Sequence, residues 1–154
     1  MPSLEQLLRQ REGVRTKVYK DSRGKPTVGI GHLVTPADKL KVGDDVTDQQ
    51  VSTFFKKDSA KALSAAKSQA AQAKISDANF IVYLASVNFQ LGTNWNKVHK
   101  KTWKLIVEGK YAEAADEAGR SSWAKQTPVR VRDFQQALRA LAKKNPTPKA
   151  PANK

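Results

Sequence analysis

A chain of 154 residues suffices for one domain with a real core, divisible into two lobes, and needs no second domain. Its 28 Lys and Arg face 14 Asp and Glu, a formal charge of +14, and it has no cysteine. Disulfides and thiolate metal sites are excluded, two histidines far apart in sequence (His32 and His99) do not suggest zinc, and no cofactor is expected.

The opening Met1-Pro2-Ser3-Leu4 is uncharged and precedes an amphipathic rather than continuously apolar stretch. Neither a signal peptide nor a membrane anchor is expected, and the chain should stay in the cytoplasm. Leu4, Leu7 and Leu8 fall at i, i+3 and i+4 and make one face of a short helix, with Ser3 as N-cap. Glu12 lies one turn beyond Leu8, at the C-terminal end of that helix. Loss of water and the negative end of the helix dipole both favour its protonated form, so it could donate a proton near neutral pH.

Val18-Tyr19-Lys20 and Thr27-Val28-Gly29-Ile30 read as strands, and Asp21-Ser22-Arg23-Gly24 between them is turn chemistry. On such an exposed bend Asp21 should stay ionised, giving one acid and one base from two environments. Thr27, facing the bend from the returning strand, could hold a water against Asp21. Gly29 and Gly31 suggest close approach of a ligand or another backbone, and a glycan lying along the edge would explain them.

Thr47 and Gln50 form a capping-box pattern opening a long helix with Val51, Phe54 and Phe55 inward, running to Ser64 or beyond. Ser76-Asp77 caps the next, where Phe80, Tyr83, Leu84, Val87 and Phe89 make a nearly all-round apolar surface before Gly92. Such a helix belongs at the centre of a main lobe. Further helices hold Trp103, Ile106 and Val107 up to Gly109, then residues 112–118. Thr127-Pro128 starts the last, with Thr as cap and Val131, Phe134, Leu138 and Leu141 inward. Trp95 and Trp123 read as packing residues. The stretch from Lys143 to Lys154 has three prolines, four lysines and no large apolar group, and reads as a disordered tail.

An acid that protonates a leaving oxygen, paired with a carboxylate that attacks the sugar or activates water on its far face, is what glycoside hydrolysis requires. The ordered set Glu12, Tyr19, Asp21, Gly24, Thr27, Gly29, Gly31 and His32 resembles the signature of the T4-type phage lysozymes, the glycoside hydrolase family 24 muramidases. Phe89-Gln90-Leu91-Gly92 and Trp123 to Arg130 resemble the family's F-Q-x-G and W-x-x-Q-T-P-x-R motifs, so the similarity covers residues 3 to 142.

The resemblance implies an α+β, lysozyme-like fold: a small β-hairpin lobe (14–46), a mostly helical main lobe (1–13 and 47–142), a long helix joining them and a cleft between. It implies Glu12 as general acid, Asp21 as second carboxylate and Thr27 as the residue placing the attacking water, with inversion at the sugar. Leu33, Phe89, Gln90 and Thr102 would bind sugar, His32 and Asp58 would form a buried supporting pair, and Arg130 would lie near the catalytic acid. The substrate would be bacterial peptidoglycan, cut between N-acetylmuramic acid and N-acetylglucosamine by a monomer. The enzyme would wait in the host cytoplasm until a separate holin-type partner opens the way to the periplasmic wall. The segment between His32 and Thr47 is shorter than in the best known members, Arg23 stands where an acid often occurs, and Glu117 replaces an amide.

Three other readings compete. A wall-docking module would keep the fold without turnover, and a lytic transglycosylase would use one acid and leave Asp21 and Thr27 dispensable. A nucleic-acid binder would rest on the charge, which suits a broad acidic surface such as a wall better than a sequence-specific reader. Neither specific nucleic-acid binding nor membrane insertion is expected.

Overall fold

The computed structural model describes residues 2–145. In order come α1 (Leu4–Glu12), β1 (Arg15–Lys20), β2 (Pro26–Gly29), β3 (His32–Leu33), a 3-10 turn (Pro36–Asp38) and α2 (Asp48–Gln72). Then follow α3 (Ala78–Leu91), α4 (Trp95–Val98), α5 (Lys100–Val107), α6 (Tyr111–Gly119), α7 (Ser122–Gln126) and α8 (Pro128–Lys144). Mostly helical, with one small antiparallel sheet in the order β1-β2-β3, the chain has the expected α+β, lysozyme-like class. It packs as two compact units, the first ending at Ala62 and the second beginning at Leu63, with α2 continuous from one into the other. Helix α1 groups with the sheet, whereas the sequence reading placed residues 1–13 with the helical lobe.

In the first unit, Ser3 caps α1 through a reciprocal box, its hydroxyl accepting from Gln6 N–H while the Gln6 amide oxygen accepts from Ser3 N–H. Leu7 and Leu8 are buried, and α1 ends at Glu12 because Gly13, at φ +73°, leaves the helical region. The third strand, two residues long, was not expected. It turns the hairpin into a sheet with two distinct faces, since Thr27 pairs with Leu33 while Val28 pairs with His32. The outer edge of β1 is covered by residues 43–46, with Val18 N–H bonded to Asp44 O at 2.8 Å and Val46 N–H to Thr16 O at 2.7 Å.

Helix α2 opens with the expected Thr47/Gln50 box, and Val51 and Phe55 are buried. Phe54 is half-buried and lies flat on the His32 ring, centroids 4.0 Å apart and planes within 3°. His32 faces a carboxylate from each ring nitrogen, Asp58 at 2.6 Å from Nδ1 and Asp38 at 2.8 Å from Nε2. The pair with Asp58 was expected; Asp38 is a third member. Burial opposes charging His32, but the hydrogen bonds and charges of Asp58 and Asp38 outweigh it and raise the imidazole above its ordinary value. Asp38 is held below the usual carboxylate range: burial opposes this, and the Thr35 N–H and His32 overcome it.

In the second unit α2 is narrow, burying Ala66 and Ala70 beside Gln69, with Ala73 buried just past its end. The Gln69 and Asn88 amides bond each other at 2.9 and 2.8 Å, and Trp95 Nε1 donates to Gln69 Oε1 at 3.0 Å, so these buried polar groups are paired. Trp95 packs edge-on to Phe134, with Phe80 and Trp123 against the same ring, as the packing role read for Trp95 and Trp123 requires. Val131, Phe134, Leu138 and Leu141 of α8 face inward as read, while Val107 of α5 is exposed. The Thr127 hydroxyl does not cap α8: it donates to Trp123 O and accepts from Gln90 Nε2 instead. Helix α8 continues through Lys143 and Lys144, two residues into the expected tail, with Lys144 bonded to Asp77 at 2.8 Å. Residues 146–154 of that tail lie outside the described residues.

His32 supplies a pH test. A raised folded pKa stabilises fully below the unfolded value of about 6.5 and loses that stabilisation as pH rises through the folded value. The lowered Asp38 pKa stabilises above its unfolded value of about 3.9 and is lost as pH falls through the folded one. The wild type should exceed His32→Asn by about 3 kcal/mol between about pH 4 and 6.5. Urea unfolding across pH should show that margin narrowing as pH rises from about 6.5 through the folded pKa of His32.

Candidate active site

Glu12, Asp21 and Thr27 all fall in the first unit, and the sheet register brings their surroundings together. Tyr19 of β1 stands opposite Thr27 of β2, and Thr27 opposite Leu33 of β3. Cross-strand partners share a face with Cβ atoms about 5 Å apart, so Tyr19, Thr27 and Leu33 form one row. The other face is structural, with Val28 buried and His32 tied to Asp58 of α2.

Asp21 builds the bend as well as standing on it. Its Oδ1 accepts from the N–H groups of Arg23 at 2.8 Å and Lys25 at 2.9 Å, while its own N–H donates to Lys25 O at 2.9 Å. Among the described residues Oδ2 has no hydrogen-bond partner. Thr27 is buried, and its hydroxyl donates to Lys25 O at 3.0 Å, which fixes its proton and leaves its oxygen as an acceptor.

Glu12 ends α1 against the two-residue link between β2 and β3. Gly31 sits there at φ +64°, and a Cβ on it would come 2.6 Å from Glu12 Oε1. The carboxyl of Glu12 thus packs on the bare Cα of Gly31. Tyr19 connects the two acids: burial raises its hydroxyl pKa, Arg15 opposes, and the charges of Glu12 and Asp21 both add to the rise. Both acids therefore act on one hydroxyl.

The glycines need no sugar to explain them. Gly29 meets Val51 of α2 and Gly31 meets Glu12, so the close approach inferred from sequence is made by the protein's own atoms.

A family model for phage lysozyme matches residues 9–143. The chain belongs to the phage lysozyme family. It is 33% identical over 150 residues to the probable T4-type lysozyme 2 of Dictyostelium discoideum, covering 83% of this chain and 88% of that protein. The peptidoglycan hydrolase gp36 of Pseudomonas phage phiKMV is 31% identical over 82% of this chain, which matches 14% of that longer protein. As a member of the phage lysozyme family the protein is a hydrolase of the muramidase type that degrades cell walls.

The other residues the lysozyme resemblance pointed to fall in both units. Leu33, 49 % exposed, ends the row beside Thr27. Phe89 and Gln90 lie at the C-terminal end of α3, and Thr102 is buried in α5. The Gln90 amide donates to Thr127 Oγ1 at 2.9 Å and accepts from Trp123 Nε1 at 3.0 Å, so F-Q-x-G and W-x-x-Q-T-P-x-R are bonded to each other. Arg130 is buried, donating from Nη2 to Ser86 O and Oγ. Sequence reasoning missed Asp38, although Thr35-Pro36-Ala37-Asp38 is a capping-box pattern in which Thr35 N–H does bond Asp38 Oδ2 at 2.8 Å.

Gly31→Ala separates fold from chemistry. The atom in the way is the far end of a flexible side chain, so stability should fall only by the cost of alanine at positive φ, about 1 to 2 kcal/mol. Wall-lytic activity should drop at least tenfold beyond that, because Glu12 must rotate away. A thermal melt beside a turbidity assay at a temperature where both variants are folded checks both halves.

Proposed function

We propose that the chain cleaves the β-1,4 bond between N-acetylmuramic acid and N-acetylglucosamine in peptidoglycan, with Glu12 as general acid and Asp21 with Thr27 placing the water. The observation that carries this reading is the hydrogen-bond state of the pair Asp21 and Thr27. A water donating one hydrogen to Asp21 Oδ2 and the other to Thr27 Oγ1 keeps a lone pair for the sugar. Glu12 protonates the glycosidic oxygen, the water's oxygen bonds the anomeric carbon as the glycosidic bond breaks, and Asp21 takes the water's proton. Because the water attacks from the far face, the product is inverted.

The excess charge supports attraction to an acidic wall, and it is less even than expected: twelve basic against eight acidic residues through Ala62, sixteen against six from Leu63. Among the described residues no helix is long and apolar enough to cross a membrane. Host lysis, with storage in the cytoplasm and release by a separate holin-type protein, is the role that family membership favours.

Glu12→Gln and Asp21→Asn should each lower kcat by roughly 10²–10⁴-fold. Asparagine keeps a carbonyl oxygen for the Arg23 and Lys25 N–H groups, so its loss of activity reports on the missing charge rather than on the bend. Mass spectrometry of digested wall should find reducing muramic-acid ends. Anhydro ends, or an Asp21→Asn enzyme at wild-type rate, would turn the assignment to a transglycosylase.

A further inference from the structure

Arg15 opens β1 with its guanidinium over the Tyr19 ring, Cζ 4.3 Å from the centroid. Strand residues four apart share a face, and an irregular register between them, four residues on β1 against two on β2, adds twist at that point. Tyr19 is the cross-strand partner of Thr27, so the guanidinium stands on the face that carries the catalytic row.

Three other arginines, Arg9, Arg120 and Arg139, bond an acid. Arg15 is exposed and has no acidic partner among the described residues, although Glu12, Asp21 and Arg15 all act on the same tyrosine hydroxyl. Stacking restrains the fork in advance, and its five N–H donors match a planar carboxylate in two parallel bonds.

We infer that Arg15 binds a carboxylate of the substrate and selects glycan strands that carry acidic stem peptides. This rests on the muramidase reading above and adds a residue to it. Stem-peptide carboxylates hang from the muramic acid beside the scissile bond, so a guanidinium next to Thr27 can reach them. Arg15 acts in binding and takes no part in proton transfer, so its loss should appear in KM more than in kcat.

The test compares kcat/KM on solubilised wall strands in three forms: native, with stem-peptide carboxylates converted to amides by carbodiimide and ammonia, and stripped of peptide to bare the lactyl carboxylate. The wild type should prefer native over amidated strands by about ten- to hundredfold, the worth of a charge-assisted hydrogen bond. Arg15→Ala should cleave these two forms nearly equally, and Arg15→Lys, with the charge but no fork, should fall between. A loss in Arg15→Ala confined to peptide-free strands would keep the carboxylate partner but move it to the lactyl group. A preference unchanged in Arg15→Ala, or equal losses on all three forms, would overturn the inference. If the wild type cleaved none of them, the muramidase reading itself would fall. Melting curves of each variant establish that it is folded.

Discussion

One carboxylate, Asp21, holds the small sheet together and faces its chemistry. Its Oδ1 gathers two backbone N–H groups and so closes the bend that sets the register of β1 on β2. That register puts Tyr19 beside Thr27, and the Thr27 hydroxyl donates a hydrogen bond to Lys25 O, a group of the same bend. The arrangement is rigid because Asp21 Oδ1 and Lys25 O each accept two hydrogen bonds from within the bend and its returning strand. An oxygen fixed through its own side chain's other oxygen needs no separate support.

The two faces of the sheet divide the work. The rear face carries Val28 and His32, the latter tied to Asp58 of α2, and Gly29 at the end of β2 lies against Val51 of the same helix. His32 lies between two carboxylates with Phe54 stacked on its ring, so that a positive charge on the imidazole is answered on both edges and one face. The raised pKa of His32 and the lowered pKa of Asp38 both favour the charged pair, so its contribution fades as pH rises through the folded value of His32 or falls through that of Asp38. The front face carries the row Tyr19, Thr27 and Leu33, with Glu12 seated against Gly31.

Much of this could be read from residues alone. Ser3, Thr47 and Asp77 named three helix starts correctly because a cap is a local hydrogen bond between residues three apart. The Asp21 to Gly24 bend was legible for the same reason. Strand β3 was not, since two residues give no alternation to detect, nor were α4 and α7, which are one turn each. The meaning of Gly29 and Gly31 escaped because their neighbours, Val51 and Glu12, are remote in sequence. Arg15 and Asp38 escaped in the same way: their roles depend on a register and a turn that only the folded chain displays. At the motifs FQLG and WAKQTPVR the order of residues was recognisable, but that they bond each other through Gln90 was not.

The claim that a water held by Asp21 and Thr27 is the nucleophile has a stereochemical consequence that no rearrangement of binding contacts can imitate. Proton NMR of the reducing end formed in the first minutes of digestion, before mutarotation, reports the configuration directly. Initial release of the α-anomer from the β-linked strand is the predicted result. Initial release of the β-anomer would mean that a covalent or internally captured intermediate had intervened, and would contradict the account.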